Sequence, residues 1–253
     1  VAFCKANNIQ FSSTAQNFSD LEFLNSICDL PFIKVGSDDL TSIQMLKKYA
    51  SYGKKMIIST GMAYASEIED AVEAIRNVGN NDIVVLHCVS SYPASADEVN
   101  LNKIPAIKSC FGVEVGYSDH TIGSAAAIGA VCLGASVIET HFTLDHNLPG
   151  PDHWFASDIS EFKQYVTDIR DIELSLGSSI LKPSESEIKM RKTMQRKIIF
   201  NKKINDGVVV TQDDFTFKRA PSGYLPKYVD FFVGRKLKNK VDINEIVDLT
   251  KFI

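Results

Sequence analysis

No apolar run in this 253-residue chain approaches the length of roughly 20 residues that a membrane-spanning helix needs. A charged-then-apolar leader is missing from its start as well. No membrane partner is expected, and the chain reads as cytoplasmic. Basic stripes are also missing beyond short pairs such as Lys47-Lys48, and the formal net charge is −4. Such a surface does not favour a polyanion, so no nucleic-acid partner is expected. The five cysteines (Cys4, Cys28, Cys88, Cys110, Cys132) are scattered, odd in number and without CxxC spacing. That pattern indicates neither a zinc finger nor a disulfide framework, and it fits reduced thiols. Internal repeats and low-complexity tracts are absent too.

What remains is the composition of an ordinary globular protein, 45% apolar and 23% charged. The length allows one large domain or two smaller ones. The chain opens Val1-Ala2-Phe3-Cys4-Lys5, without Met and as if inside a helix, so further sequence upstream is expected.

Six short β-rich apolar runs recur: "IQFSST" (Ile9–Thr14), "FIKVGS" (Phe32–Ser37), "KMIISTG" (Lys55–Gly61), "IVVLHC" (Ile83–Cys88), "VEVGYSD" (Val113–Asp119) and "SVIETHFT" (Ser136–Thr143). Helical periodicity fills the gaps, as in Leu40, Ile43, Leu46 and Tyr49, or Ile68, Val72 and Ile75. Strand and helix alternating about every 20–30 residues is the pattern of βαβ units and a parallel sheet. Polar residues recur near the C-terminal ends of several strands, including Lys34, Ser37, Ser59, Ser118, His120 and His141. A (β/α)8 TIM barrel carries its active site on that rim, whereas a doubly wound sheet gathers polar groups at one switch point. The barrel is favoured, and six units imply two further βα units upstream.

The texture changes after the helical stretch Glu161–Gly177. Residues 1–178 read as a partial TIM-barrel domain, and the polar, proline-containing residues 179–194 as a linker. Residues 195–253, with short strand-like pieces, read as a small β-rich module.

His120 and His141 close consecutive parallel strands, so both imidazoles face one rim. Neutral imidazole suits a divalent transition metal, with Asp119, Glu139 and Asp152 as further ligands or orienting groups. Lys34 stands inside an apolar strand, where an ammonium is costly unless it meets an anion or loses its proton. It is therefore an anchor for phosphate or carboxylate, or a Schiff-base nucleophile. A serine at a strand end commonly caps the next helix. Ser37, Ser59 and Ser118 together with Lys34 form an oxyanion cradle. His87 and Cys88 are neighbours on one strand and point to opposite faces, so they do not form a dyad.

"FIKVGSDDL", "IISTGMA", "HCVSSYP", "VGYSDHTIG", "IETHFTLD", "LPGPDH" and "FTFKRAPSG" together resemble the sialic acid synthase family, whose members include N-acetylneuraminate, legionaminate and pseudaminate synthases. The resemblance runs in order over nearly the whole chain. It implies a transferase of sialic acid biosynthesis that condenses phosphoenolpyruvate with an N-acylhexosamine and water, giving a nine-carbon 2-keto acid and phosphate. It implies a (β/α)8 barrel followed by an antifreeze-like SAF domain. Carried over residue by residue, it makes His120 and His141 ligands of Mn²⁺ or Mg²⁺ with a part in catalysis. Lys34, Ser37, Ser59 and Ser118 become phosphoenolpyruvate anchors, and Tyr92 and Asp152 sugar contacts. Arg219 would reach the partner's site in a domain-swapped homodimer, and Asp39 would handle a proton.

Two departures from the family pattern stand out. Ser37-Asp38-Asp39 replaces a Ser-Gly-acid run, and "SSTAQN" ends in Asn17 where a carboxylate is usual. They point to a different acceptor sugar, such as a legionaminic- or pseudaminic-type precursor. Two other readings stay open: a class I aldolase with Lys34 as Schiff base, and an inactive truncated synthase acting as a carbohydrate-binding or interaction module.

Overall fold

Five of the six apolar runs become strands of one parallel sheet in the computed structural model, which describes residues 1–253. They are β1 (Phe32–Val35), β2 (Lys55–Ser59), β3 (Ile83–Cys88), β4 (Glu114–Asp119) and β5 (Val137–Thr140), paired in chain order with β1 and β5 at the edges. Around them run α1 (Ala2–Ala6), α2 (Phe18–Ile27), α3 (Ile43–Ala50), α4 (Ala65–Arg76), α5 (Lys103–Phe111), α6 (Ala125–Cys132) and α7 (Ile159–Leu176). These elements make up the first of two units, Val1–Gly177.

The alternation of side chains along a strand sorts this unit into two faces. Ile33, Val35, Met56, Ile58, Ile83, Val85, Val115 and Tyr117 point to the helices. There they join Leu46, Tyr49, Ala71, Val72, Ile75 and Ile104 in the main core. The other parity faces inward: Ile57, Val84 and Leu86 pack with Phe32 and Val137 in a smaller apolar cluster. The sheet is curled into a half-barrel. In a flat sheet, edge strands four spacings apart would lie about 19 Å from each other. Here Lys34 Nζ on β1 reaches to 3.5 Å from Glu139 Oε2 on β5.

One sequence expectation fails in the described fold. Ile9–Thr14 forms no strand: it pairs with no neighbour, Ile9 is exposed, and only the Ser12 hydroxyl reaches β1, donating to the Phe32 carbonyl at 3.3 Å. A strand exists by its ladder, and apolar composition without a partner does not make one. Residues 179–194, read as a linker, contain a helix, α8 (Glu185–Met194). Its start is a capping box, in which the Ser184 hydroxyl accepts from the Glu187 amide and the Glu187 carboxylate from the Ser184 amide. No residue of α8 is buried, which explains its loop-like composition.

The second unit, Ser178–Ile253, continues from α8 into β6 (Arg196–Phe200) and β7 (Phe215–Arg219), an antiparallel pair. The other strand-like pieces give isolated bridges such as Ile204 with Val241 and Leu237 with Phe252. The unit has its own core, built on Ile198, Phe200, Val210, Phe232, Leu237 and Val247.

Candidate active site

The inward parity that buries Ile57, Val84 and Leu86 brings Lys34, Ser59, Cys88, Ser118 and Glu139 to the C-terminal ends of the five strands. His120 and His141 follow immediately after β4 and β5. All of these, with Ser37, Asp38, Ser90 and Tyr92, line one open cavity of about 520 Å³. A cleft of about 560 Å³ beside α1 is comparable in volume. That cleft gathers no set of mutually paired polar groups.

The two imidazoles meet edge to face with ring centroids 5.1 Å apart. His120 Nδ1 lies 2.7 Å from the Val89 carbonyl, and His141 Nδ1 lies 3.6 Å from Asp152 Oδ2. A carbonyl can only accept, so His120 Nδ1 carries the proton and Nε2 keeps its lone pair. The carboxylate of Asp152 favours the same tautomer at His141. This is how outer partners orient histidines that bind metal, and the donor set fits a divalent cation. Tyr92 closes one side, its ring centroid 4.2 Å from that of His120 and 5.7 Å from that of His141.

Asp119, between Ser118 and His120, points to the helix side and is buried. Its Oδ1 accepts from the Thr121 amide and hydroxyl, each at 2.8 Å, and its Oδ2 from the Tyr165 hydroxyl of α7 at 2.8 Å. It orients the His120 turn and does not enter the cavity.

Lys34 Nζ donates to Ser59 Oγ at 2.9 Å and to the Val35 carbonyl at 3.0 Å. Glu139 Oε2 stands 3.5 Å away, and Glu139 Oε1 accepts from Ser118 Oγ at 2.7 Å. Ser37 Oγ accepts from the Gly61 amide at 2.9 Å. Lys34 and Ser59 are thus bonded directly and Ser118 is joined to them through Glu139, while Ser37 lines the same cavity with its own bond to Gly61.

Asp39 sits differently from expectation. Ser37–Asp39 is a single 3-10 turn, which rotates successive side chains by about a third of a revolution. Asp38 lines the cavity as a result, while Asp39 turns away toward Ser42. Burial, then the Asp38 charge, raises the Asp39 carboxyl above its ordinary value. Arg219 ends β7 in the second unit and is exposed.

Sequence reading missed Cys88. The adjacent His87 does face the other way, with Nε2 2.6 Å from the Val99 carbonyl. The partner of Cys88 lies just past the end of the next strand instead: its Sγ lies 3.9 Å from His120 Nδ1. Burial would raise the thiol, but His120, then Ser37 and Ser118, outweigh it and bring Cys88 below the usual value. Burial likewise opposes charge on His120, yet Cys88 and the Val89 carbonyl hold that imidazole above its ordinary value. Burial and the neighbouring His120 charge push His141 down. The parity of β3 and its register with β4 (Cys88 opposite Ser118) were the signals that could have found this contact.

The one group of three ligand-type side chains whose donor atoms all lie within 4.8 Å of one another is His146, Asp158 and Glu161. Its two carboxylates form the capping box that starts α7, with Asp158 Oδ1 accepting from the Glu161 amide at 2.9 Å.

Residues 1–181 match the profile of the NeuB family. The chain is 36% identical to the N,N'-diacetyllegionaminic acid synthase of Campylobacter jejuni, over 98% of this chain and 74% of that one. It is 35% identical to the pseudaminic acid synthase of Helicobacter pylori, over 92% of this chain and 67% of that one. Among solved structures it resembles the spore coat polysaccharide biosynthesis protein SpsE of Bacillus subtilis, with a TM-score of 0.68 at 30% identity, over 100% of this chain and 75% of that one.

Proposed function

The chain belongs to the NeuB family, and from that premise we propose that it condenses phosphoenolpyruvate with an N-acylhexosamine to form a nine-carbon 2-keto acid and phosphate. The observation that carries the proposal is the single cavity into which Lys34, Ser59 and Ser118 converge beside the His120–His141 pair. One half of that wall suits a strongly anionic substrate and the other a divalent cation.

In this reaction C3 of phosphoenolpyruvate attacks the open-chain sugar aldehyde, forming the C–C bond and leaving C2 electron-deficient. Water adds at C2 and loses a proton. The resulting tetrahedral carbon expels phosphate by breaking its C–O bond, leaving the ketone. Lys34, Ser37, Ser59 and Ser118 hold the phosphoenolpyruvate and balance the charge that grows on the departing phosphate. Tyr92 forms a wall of the acceptor sugar's subsite, and Asp152, beside His141, reaches the same sugar. The proton role expected of Asp39 passes to Asp38, a carboxylate on the cavity wall. His120 and His141 would hold Mn²⁺ or Mg²⁺, which supplies Lewis acidity toward the aldehyde.

The half-barrel is, in this reading, part of a (β/α)8 barrel, and residues 195–253 an antifreeze-like SAF domain. Arg219 would serve the site of a partner subunit in a domain-swapped homodimer. The names of the relatives favour a legionaminic- or pseudaminic-type acceptor. The engaged ammonium of Lys34, donating to Ser59 and Val35, disfavours Schiff-base chemistry.

The purified protein, supplied with phosphoenolpyruvate, Mn²⁺ and a panel of N-acylhexosamines, is expected to release inorganic phosphate. Mass spectrometry should then find a product heavier than the sugar by the added three-carbon acid. Absence of phosphate release with every sugar, under conditions where the protein is folded, would overturn the proposal.

A further inference from the structure

Glu139 is the one charged group on the cavity wall to which the proposed reaction gives no task. It leaves β5 on the concave face, two residues before His141. Its two oxygens are divided between opposite sides of the cradle: Oε1 accepts from Ser118 Oγ at 2.7 Å, and Oε2 lies 3.5 Å from Lys34 Nζ. The same ammonium donates to Ser59 Oγ at 2.9 Å. The donors that are to hold an anionic substrate therefore already surround a carboxylate.

We infer that Glu139 is the resident counter-anion of the cradle, occupying Lys34 and Ser118 until a more highly charged anion displaces it. The inference rests on the reading of the cavity as a phosphoenolpyruvate site. Two anions cannot share one ammonium at contact distance without repulsion, so an incoming phosphate or carboxylate must move Glu139 aside. The side chains are built for that exchange. Lys34 is 12% exposed and held by three partners, whereas Glu139 is 42% exposed and has room to swing. Once displaced it remains near His120 and His141, and its charge already acts on both imidazoles.

The arrangement does two things for binding. It keeps the ammonium extended into the cavity in the absence of ligand, which lowers the ordering cost when ligand arrives. It also sets a threshold: a phosphate ester with two charges outcompetes the internal carboxylate, while a monoanion such as pyruvate does not. Glu139 is thus a specificity-determining residue that rejects part of the competing anion pool by occupying the site itself.

Calorimetry on the full chain tests this with phosphoenolpyruvate, pyruvate and inorganic phosphate as ligands. Glu139→Gln should bind phosphoenolpyruvate about fivefold tighter, the amount expected from deleting a partly exposed competing ion pair. Pyruvate should gain relative to phosphoenolpyruvate in the variant, and KM for phosphoenolpyruvate and kcat should fall together. In a Lys34→Met background the substitution should lose its effect on affinity, because the ammonium contested by the two anions is gone. Unchanged or weaker phosphoenolpyruvate binding by Glu139→Gln overturns the inference. Glu139→Ala replaces the amide variant in the same titrations if the latter fails to melt cooperatively. If the wild type binds no phosphoenolpyruvate, the proposed function fails on its own. Tighter inorganic phosphate binding by Glu139→Gln would then still support the counter-anion role, and unchanged phosphate binding would sink it.

Discussion

Gly61 has no side chain, and the anion cradle depends on that. A Cβ at this position would lie 2.2 Å from Ser90 Oγ and 2.8 Å from Ser37 Oγ, displacing two hydroxyls of the cavity wall. Gly61→Ala is expected to raise KM for phosphoenolpyruvate by an order of magnitude or more, the scale of one or more lost polar contacts. The melting temperature should change little, because flexible hydroxyls yield before backbone does. A steady-state titration beside a thermal melt checks both halves. In the second unit, Asp214 is buried and anchors a turn, with its carboxylate 2.6 Å from Lys202 Nζ and accepting from the Thr211 amide at 2.7 Å. Burial opposes its charge, but Lys202 and Thr211 outweigh burial and hold the carboxyl below the ordinary aspartate value. The resulting stability is present above the unfolded-state pKa and is lost as pH falls through the lower folded-state value. Asp214→Asn should therefore destabilise the unit by about 1–3 kcal/mol at pH 7, with the gap closing below about pH 4. Urea melts of both proteins across that range measure it. Individual residues were unequally legible in the sequence. Lys34 could be placed inside because Ile33 and Val35 claim the helix face. Asp38 could not be placed, since a 3-10 turn decides where it points and leaves no mark in composition, and the contact of Cys88 needed strand parity and cross-strand register read together.

β4 shows how much one strand position can constrain. Gly116 lies between β3 and β5 on the concave face, and a Cβ there would come within 2.4 Å of both the Val137 carbonyl oxygen and Leu86 Cδ2. The carbonyl belongs to the β4–β5 ladder and cannot retreat without loosening the strand that ends at His141. Gly116→Ala is expected to lose about 1–3 kcal/mol, as overpacked cores do. Gly129 in α6 offers a control, because its added Cβ would meet only Leu101 Cδ1, at 2.7 Å, the far end of a side chain. There the gain in helix propensity, up to about 1 kcal/mol, offsets the local crowding. Denaturation midpoints should fall clearly for Gly116→Ala and stay near wild type for Gly129→Ala; equal losses at both sites would discredit the backbone argument. Elements with a strong period were legible for the same reason that they are stable. The helices between β1 and β5 bury one face each, which writes a period into the sequence, while the strands bury residues of both parities and show as short continuous apolar runs. Ile9–Thr14 has the composition of a strand without a partner, and α8 has a cap without a buried face. Composition misassigned the first and was silent on the second, because pairing and capping are relations between positions.

The chain as a whole consists of two units, each with a separate apolar cluster. The boundary at Gly177 was visible as a change of texture, because a βα repeat and a bridge-rich β module have different periods. The curl of the sheet was only indirectly visible, through polar residues accumulating at one end of each strand. The second unit is small, and modules of this size bury a modest fraction of their surface, so independent stability is not automatic. Its core nevertheless closes on itself: Phe200, Phe232, Leu237 and Val247 are each 0% exposed, and Phe200, Phe215, Phe232 and Phe252 form a connected aromatic chain. Backbone bonds tie its distant segments together, with Ile204 and Val241 exchanging a donor and an acceptor at 3.1 and 2.9 Å. A fragment spanning Ser178–Ile253 is therefore expected to fold alone, with one cooperative unfolding transition and a stability of about 3–5 kcal/mol, as single small cores provide. Hydrogen exchange should find the amides of Ile198, Phe200 and Val247 the most protected, since each bonds within the closed core. Phe232→Ala should abolish the transition, because truncating a buried phenylalanine removes about 3–5 kcal/mol, as much as the unit holds. A fragment that binds a hydrophobic dye and melts without cooperativity would show that this core is not sufficient by itself.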